Sequence, residues 1–150
     1  MHIPTTLLAQ VDASIGGKTG VNSKKFKNMI GAFKQPKAVL IDTYFLKSLS
    51  KRHIAAGYSE IIKHALIEDK NLLSKLDIFD QDIEKKENIA KLSDLIRMSS
   101  KIKANIVERD EKEKSIRAYL NFGHTFAHAI ESVQSFKGLN HGEAVGVGMV

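Results

Sequence analysis

His124 and His128 stand four residues apart in LNFGHTFAHAIE (residues 120–131), inside an apolar-periodic stretch. On a helix that spacing stacks both imidazoles on one face. Two histidines so placed either share one metal ion, as in H-E-x-x-H helices, or serve separate partners. The intervening Thr125, Phe126 and Ala127 lack the glutamate of that motif, which weakens a protease reading. Arg117 and Asn121 precede the pair at helical spacing. If the register extends back that far, all four polar groups project from one side, amid Phe122, Phe126 and Ile130. Packing alone does not account for such a set.

A metal held by imidazoles in a chain without cysteine needs a carboxylate companion. Glu60, in SEIIKH (residues 59–64), is a candidate oxygen donor, with Lys63 one turn on. Taken alone, Glu60 and Lys63 read as an exposed i,i+3 ion pair worth about 0.2–0.5 kcal/mol. HGEAV (residues 141–145) adds His141 as a third imidazole, while Glu143 suits capping and dipole compensation at a helix start. Catalytic zinc sites commonly use three protein ligands and keep one position open. Glu60 with two histidines meets that need in two ways. Either His124 and His128 share the ion, or His124 and His141 do and His128 faces substrate. Spacing does not separate the two.

DASIGGKTG (residues 12–20) nearly matches the phosphate-binding pattern G-x-x-x-x-G-K-[ST], but Asp12 stands at the first glycine. That loop wraps bare backbone N–H groups around phosphate, and a carboxylate at its mouth would repel the ligand. A tight turn, whose glycines supply special backbone angles, is the plainer reading. A third keeps the chemistry, with Asp12 accepting from a hydroxyl and Lys18 contacting an anion.

The elements that must position these groups are legible in outline. Leu7–Val11 is a short apolar run, and Ala38–Asp42, after Pro36, is expected as a buried strand. From Ser50, a plausible N-cap, Ile54, Tyr58, Ile61, Ile62, Ala65 and Leu66 recur at helical spacing. A short helix is expected over Leu72–Phe79, a long one over Asp82–Glu108, a loop over Glu108–Lys114, a helix over Phe122–Val133 and a last one opening near His141. No internal repeat or low-complexity tract is visible. The class is α/β plus all-α, with the change of character near residue 50.

The 150 residues, 43% apolar, are enough for a core. The balance of 23 basic and 17 acidic side chains leaves a net charge of +6, which favours an anionic partner. Lys24, Lys25 and Lys27 form one basic knot, with Lys101 and Lys103 far downstream. Aromatics at 7% are too scarce for base-stacking platforms, which argues against a nucleic-acid surface. No apolar run approaches a bilayer span. The absence of cysteine excludes disulfides and thiolate metal sites and suits a reducing cytoplasm. The last residues, GEAVGVGMV, run apolar to Val150 without a stop signal, so an internal piece of a longer protein is expected.

HIPTTLLAQVDASIGGKTGVN, KNMIGAF with QPKAVLID, AAGYSEIIKHALI, LNFGHTFAHAIE and HGEAV, in that order, closely resemble the 3-dehydroquinate synthase family over essentially the whole chain. The resemblance implies a Rossmann-like NAD-binding domain, whose end is residues 1–50, and a helical metal- and substrate-binding domain beginning at 51. Their cleft would hold NAD, a divalent metal (zinc or cobalt) and 3-deoxy-D-arabino-heptulosonate 7-phosphate, a phosphorylated sugar acid. It implies oxidation by NAD, phosphate elimination, reduction, ring opening and aldol closure to 3-dehydroquinate, in the shikimate route to chorismate and aromatic amino acids. Glu60, His124 and His141 would be the metal ligands. Asp12, Lys63, Lys103, Arg117, Asn121 and His128 would be catalytic. Lys18, Asn28, Lys63, Lys103, Arg117, Asn121 and His128 would bind substrate, and Thr5, Thr6, Asp12, Lys18, Lys27 and Ser48 the cofactor. Family members are well over twice as long, and a homodimer is common among them. The isolated chain is therefore expected to be inactive.

Ala127 replaces a common glycine and Ser59 a frequent alanine, both mild changes. Relatives acting on sedoheptulose 7-phosphate tend to depart from the family pattern at Asn121 and His128, and both are retained. Metal-dependent polyol dehydrogenases are a more distant alternative. A basic helical nucleic-acid-binding module would leave Glu60 and the histidines without a task.

Overall fold

The computed structural model describes residues 1–21, 30–76, 86–134 and 138–150. Lys24, Lys25, Lys27 and Asn28 lie outside the described residues. Among the described residues, five α-helices follow a short irregular region: α1 (Lys51–Glu68), α2 (Lys70–Leu76), α3 (Lys86–Arg109), α4 (His124–Val133) and α5 (His141–Gly148). A single π-helical turn (Ala9–Ala13) and two 3-10 segments (Thr43–Ser48 and Ile116–Asn121) complete the described elements.

Local chemistry sets the helix starts. The Ser50 hydroxyl accepts from His53 N–H at the head of α1. Asp69 breaks the chain after α1 and caps α2, its carboxylate accepting from Asn71 and Leu72 N–H at 2.8 and 3.2 Å. Asn140 and Glu143 form a reciprocal capping box on α5, satisfying two orphan donors at once. Leu72, Leu92, Leu95, Ile96, Ile102 and Ile106 form the buried seam of α2 and α3 against Ile54, Ile61, Leu7 and Val11. Ala127, Ala144 and Val145 form a second, smaller cluster between α4 and α5.

Three expectations are corrected here. Ala38–Asp42 is not a buried strand: its pairing is one parallel bridge between His2 and Val39. A strand needs a ladder on which to bury itself, and Leu40 remains 56% exposed. The helix expected from Phe122 starts only at His124, because Gly123 takes φ +79° and Ile116–Asn121 winds as a 3-10 segment. One continuous register therefore does not run from Arg117 to His128. On α4, Ala127 is buried against α5 while Phe126 is 67% exposed. Of the expected Leu72–Phe79 and Asp82–Glu108 helices, residues 77–85 lie outside the described residues.

The glycine-rich segment makes the tight turn of the plainer reading, with Gly16 at φ +106° and Gly17 at φ +68°. Antiparallel bridges then join Lys18 to Phe33 and Val21 to Ile30.

Two close approaches fix the helical layer. A Cβ on Gly57 would lie 2.5 Å from Leu7 Cγ and 2.6 Å from Leu8 N, so α1 rests directly on the residues that lead into the π-turn. A Cβ on Gly142 would run into the Ala56 backbone, so α1 and α5 touch main chain to main chain. Ala56 is one turn before Glu60, and Gly142 follows His141. The crossing therefore sets those two side chains face to face. Arg52, on α1, reinforces it by donating to both Glu143 oxygens at 2.7 Å and to Gly138 O at 2.8 Å.

Candidate active site

Glu60 and Lys63 are the first surprise of the site. Their expected exposed ion pair is buried, at 0% and 1% side-chain exposure. The physical reason is the packing of α1, which turns this face into the protein beneath α5 and the π-turn. Burial and the nearby Asp12 push the Glu60 carboxyl up, against the opposing pull of Lys63. Among the described residues no donor hydrogen-bonds Glu60 Oε1, although it is fully buried.

Two imidazoles face that oxygen. His124 Nε2 lies 3.9 Å from it and His141 Nε2 3.8 Å. Each ring is turned inward by what holds its other nitrogen: His124 Nδ1 lies 3.2 Å from Phe122 O, and His141 Nδ1 lies 3.1 Å from Glu131 Oε1. With Nδ1–H donating outward, Nε2 keeps its lone pair for the centre. Burial and the Lys63 ammonium lower His124 to about 4, so the ring is neutral near pH 7. One ligand atom from each of Glu60, His124 and His141 lies within 4.8 Å of the others. An unsatisfied buried carboxylate oxygen facing two imidazole Nε2 atoms suits a divalent cation such as zinc.

Among the described residues one other trio has this proximity, Asp12, Glu60 and His64. There the Lys103 ammonium lies 2.6 Å from Asp12 and Lys63 pairs with Glu60. The Lys103 ammonium already occupies the Asp12 carboxylate, which the first trio does not use. His128 belongs to neither trio, and its ring centroid is 5.6 Å from that of His124.

The cations gather around Asp12. Burial pushes its carboxyl up, but Lys103 and Lys63 outweigh burial and hold it below the usual carboxylate range. Lys103 Nζ also reaches Asp12 O at 2.5 Å. Burial lowers Lys103, opposed by Asp12. Asp12, Lys18, Lys63, Lys103, Arg117, Asn121, His124, His128 and His141 all line one cavity of about 750 Å³.

The remaining predicted positions divide. Thr5, Thr6 and Ser48 are not among the cavity's lining residues. Thr6 Oγ1 accepts from Ala9 N–H, and Ser48 Oγ donates to Phe45 O. Lys27 and Asn28 fall outside the described residues. Arg117 lines the cavity, but its guanidinium donates to Gly16 O at 2.7 Å and also to Glu111 O. It therefore anchors the glycine turn as well as facing the cleft.

Sequence reasoning missed three groups. His64 is fully buried, with Nδ1 2.7 Å from Ser99 Oγ, and burial followed by Lys63 lowers it to about 3. Its position one turn beyond Glu60 is a signal that spacing offered. Glu113 pairs with Lys18 and accepts from Asn121 Nδ2 at 2.9 Å. It has φ +55°, the one non-glycine residue described with positive φ, and nothing in its charged loop marks it. Glu131, behind His141, lies seven residues after His124 and so on the same face of α4.

Comparison with known proteins decides the family. The model described as 3-dehydroquinate synthase N-terminal matches residues 1–56, and that described as 3-dehydroquinate synthase C-terminal matches residues 57–150. The chain belongs to the 3-dehydroquinate synthase family. A 3-dehydroquinate synthase of Campylobacter concisus is 55% identical over 99% of this chain and 41% of its own length. One from Helicobacter pylori is 53% identical over 99% of the chain, again 41% of its own. The chain thus spans about two-fifths of the length of the curated relatives it matches. Among solved structures, ValA, a 2-epi-5-epi-valiolone synthase from Streptomyces hygroscopicus with NAD+ and Zn2+ bound, superposes with a TM-score of 0.88 at 34% identity, covering 98% of this chain and 41% of that one. A 2-deoxy-scyllo-inosose synthase complexed with carbaglucose-6-phosphate, NAD+ and Co2+ gives 0.86 at 32%, covering 99% and 41%. The fold is that of the dehydroquinate synthase-like sugar phosphate cyclases, and the described helices are its helical part.

Proposed function

We propose that the full-length protein is a 3-dehydroquinate synthase, converting 3-deoxy-D-arabino-heptulosonate 7-phosphate to 3-dehydroquinate and phosphate with NAD and a divalent metal. The observation that carries this reading is the meeting of Glu60, His124 and His141 around an unsatisfied carboxylate oxygen, beside a cavity lined by Lys18, Lys63, Lys103, Arg117, Asn121 and His128. Glu60, His124 and His141 would hold the metal. When bound, the metal supplies a Lewis acid for a substrate hydroxyl and NAD a hydride acceptor.

The chain's own groups supply the rest. Lys63 and Lys103, held around Asp12, surround the reacting hydroxyls with positive charge and keep Asp12 ionised to accept a hydrogen bond from a hydroxyl. Lys18, Arg117 and Asn121 bind the substrate's carboxylate and phosphate, with Glu113 giving up Lys18 and Asn121 as the anion enters. His128 faces the cleft without belonging to the metal trio and moves a proton at the phosphate-bearing end. Lys27 and Asn28 are assigned to cofactor and substrate on the family resemblance. So are Thr5, Thr6 and Ser48, on the cofactor side and outside the cavity lining.

Residues 1–50 are assigned to the end of the NAD-binding domain and 51–150 to the metal- and substrate-binding domain. The start of α1 at Lys51 supports that division. The family resemblance also supports a homodimer in the cytoplasm. No helix among the described residues is long and apolar enough to cross a membrane.

The similarity to valiolone and inosose synthases supports a second reading, a cyclase of sedoheptulose 7-phosphate or a related sugar phosphate. Retention of Asn121 and His128 favours the first. Incubating the full-length protein with either substrate, NAD and zinc separates them. Phosphate and dehydroquinate from the heptulosonate, with no release from sedoheptulose 7-phosphate, is the expected result; the reverse would overturn the proposal. The 150 residues assayed alone are expected not to turn over.

A further inference from the structure

We propose that Glu131 is a positioning residue for the metal centre, its carboxylate accepting the Nδ1–H of His141 and so fixing the ring's tautomer and tilt. The inference rests on the reading of Glu60, His124 and His141 as ligands.

Glu131 sits on the last turns of α4, 4% exposed. A buried carboxylate is costly unless hydrogen bonds compensate it. Its Oε1 lies 3.1 Å from His141 Nδ1, while the Nε2 of the same ring faces Glu60 Oε1 at 3.8 Å. The imidazole is thus held at one nitrogen and presented at the other. His124 is oriented by a different device, the Phe122 carbonyl. The two rings nevertheless arrive with the same nitrogen inward. His124 and Glu131 share one face of α4 two turns apart, so a single helix supplies one ligand directly and aims the other, on α5, through Glu131. Any rotation of α4 about its axis would displace both imidazoles together.

Carboxylates behind metal-bound histidines fix the tautomer and raise ligand basicity, and losing one typically costs about 10–100-fold in metal affinity. The test uses the metal-free full-length protein and zinc, with affinity read by competition against a chromophoric chelator. Glu131→Ala is expected to weaken zinc about 10–100-fold, and Glu131→Gln, which keeps a neutral acceptor, by less. In a His141→Ala background the Glu131→Gln change is expected to make no further difference, because its route to the metal is gone. A purely structural tie between α4 and α5 would instead weaken binding equally in both backgrounds, and that result overturns the proposal. Native zinc affinity in both Glu131 variants, with His141→Ala impaired, overturns it while leaving the ligand assignment intact. Native affinity in His141→Ala refutes the ligand assignment itself and the proposal with it. Cobalt loading gives a second readout, since a mis-aimed His141 changes the visible ligand-field spectrum even in a variant that folds less stably.

Discussion

Gly142→Ala is a small change with a large expected effect on a site it does not touch. The added methyl would sit 2.5 Å from the Ala56 carbonyl carbon, where ordinary van der Waals contact begins at 3.4 Å. The obstacle is helix backbone rather than a flexible side chain, so the crossing of α1 and α5 must open by at least 3.4 − 2.5 = 0.9 Å. Overpacking of this kind costs about 1–3 kcal/mol, and the gain in helix propensity from glycine to alanine returns at most about 1 kcal/mol. The crossing also places His141 over Glu60, and functional constellations tolerate only about 0.5 Å of misplacement. We therefore expect Gly142→Ala to lower the stability of the metal-free full-length protein and to weaken zinc about tenfold or more, within the range for lost ligand support. Gly146→Ala, one turn on at the same interface, is the control. Its methyl would meet Ser59 Oγ at 3.3 Å, which can rotate away, and it is expected to be neutral or stabilising. Urea unfolding and chelator competition read both quantities. Native stability and zinc affinity in Gly142→Ala would refute the argument that this contact sets the site.

Acid sensitivity follows from the buried imidazoles. His64 and His124 are lowered to about 3 and about 4 in the fold, by burial first and then by Lys63, against an ordinary value of 6.5. The unfolded chain therefore takes up protons that the folded one refuses. Stability is complete above about pH 6.5 and is lost as pH falls toward 3–4. His64→Gln should flatten that fall in urea midpoints of the metal-free protein between pH 7.5 and 5, and an unchanged slope would count against it. Arg117→Lys loses the fork that serves both Gly16 O and Glu111 O. Leaving one such carbonyl unpaired costs about 1–3 kcal/mol, and an unchanged urea midpoint would show that the anchor is dispensable.

The helices were legible because their signals are local: Ser50, Asn140 and the periodic aliphatics act within a few residues. Ala38–Asp42 misled because burial of a strand depends on neighbours that an aliphatic run cannot specify. The i,i+4 histidine pair was legible as chemistry but not as geometry. His141 reaches Glu60 through the α1–α5 crossing at Gly142, a contact between residues far apart in sequence. The register from Arg117 to His128 failed at Gly123, yet the cavity still gathers Arg117, Asn121, His124 and His128. Glu60 looked like half of a surface ion pair because i,i+3 spacing carries no information about which face is covered.

The central claim is that the metal is held by Glu60, His124 and His141, with His128 left for substrate. Zinc content and affinity of His128→Ala and His141→Ala, measured side by side in the full-length protein, test it most directly. His141→Ala is expected to lose tight zinc binding, and His128→Ala to keep it and fail in turnover. Zinc lost from His128→Ala and retained by His141→Ala would contradict it.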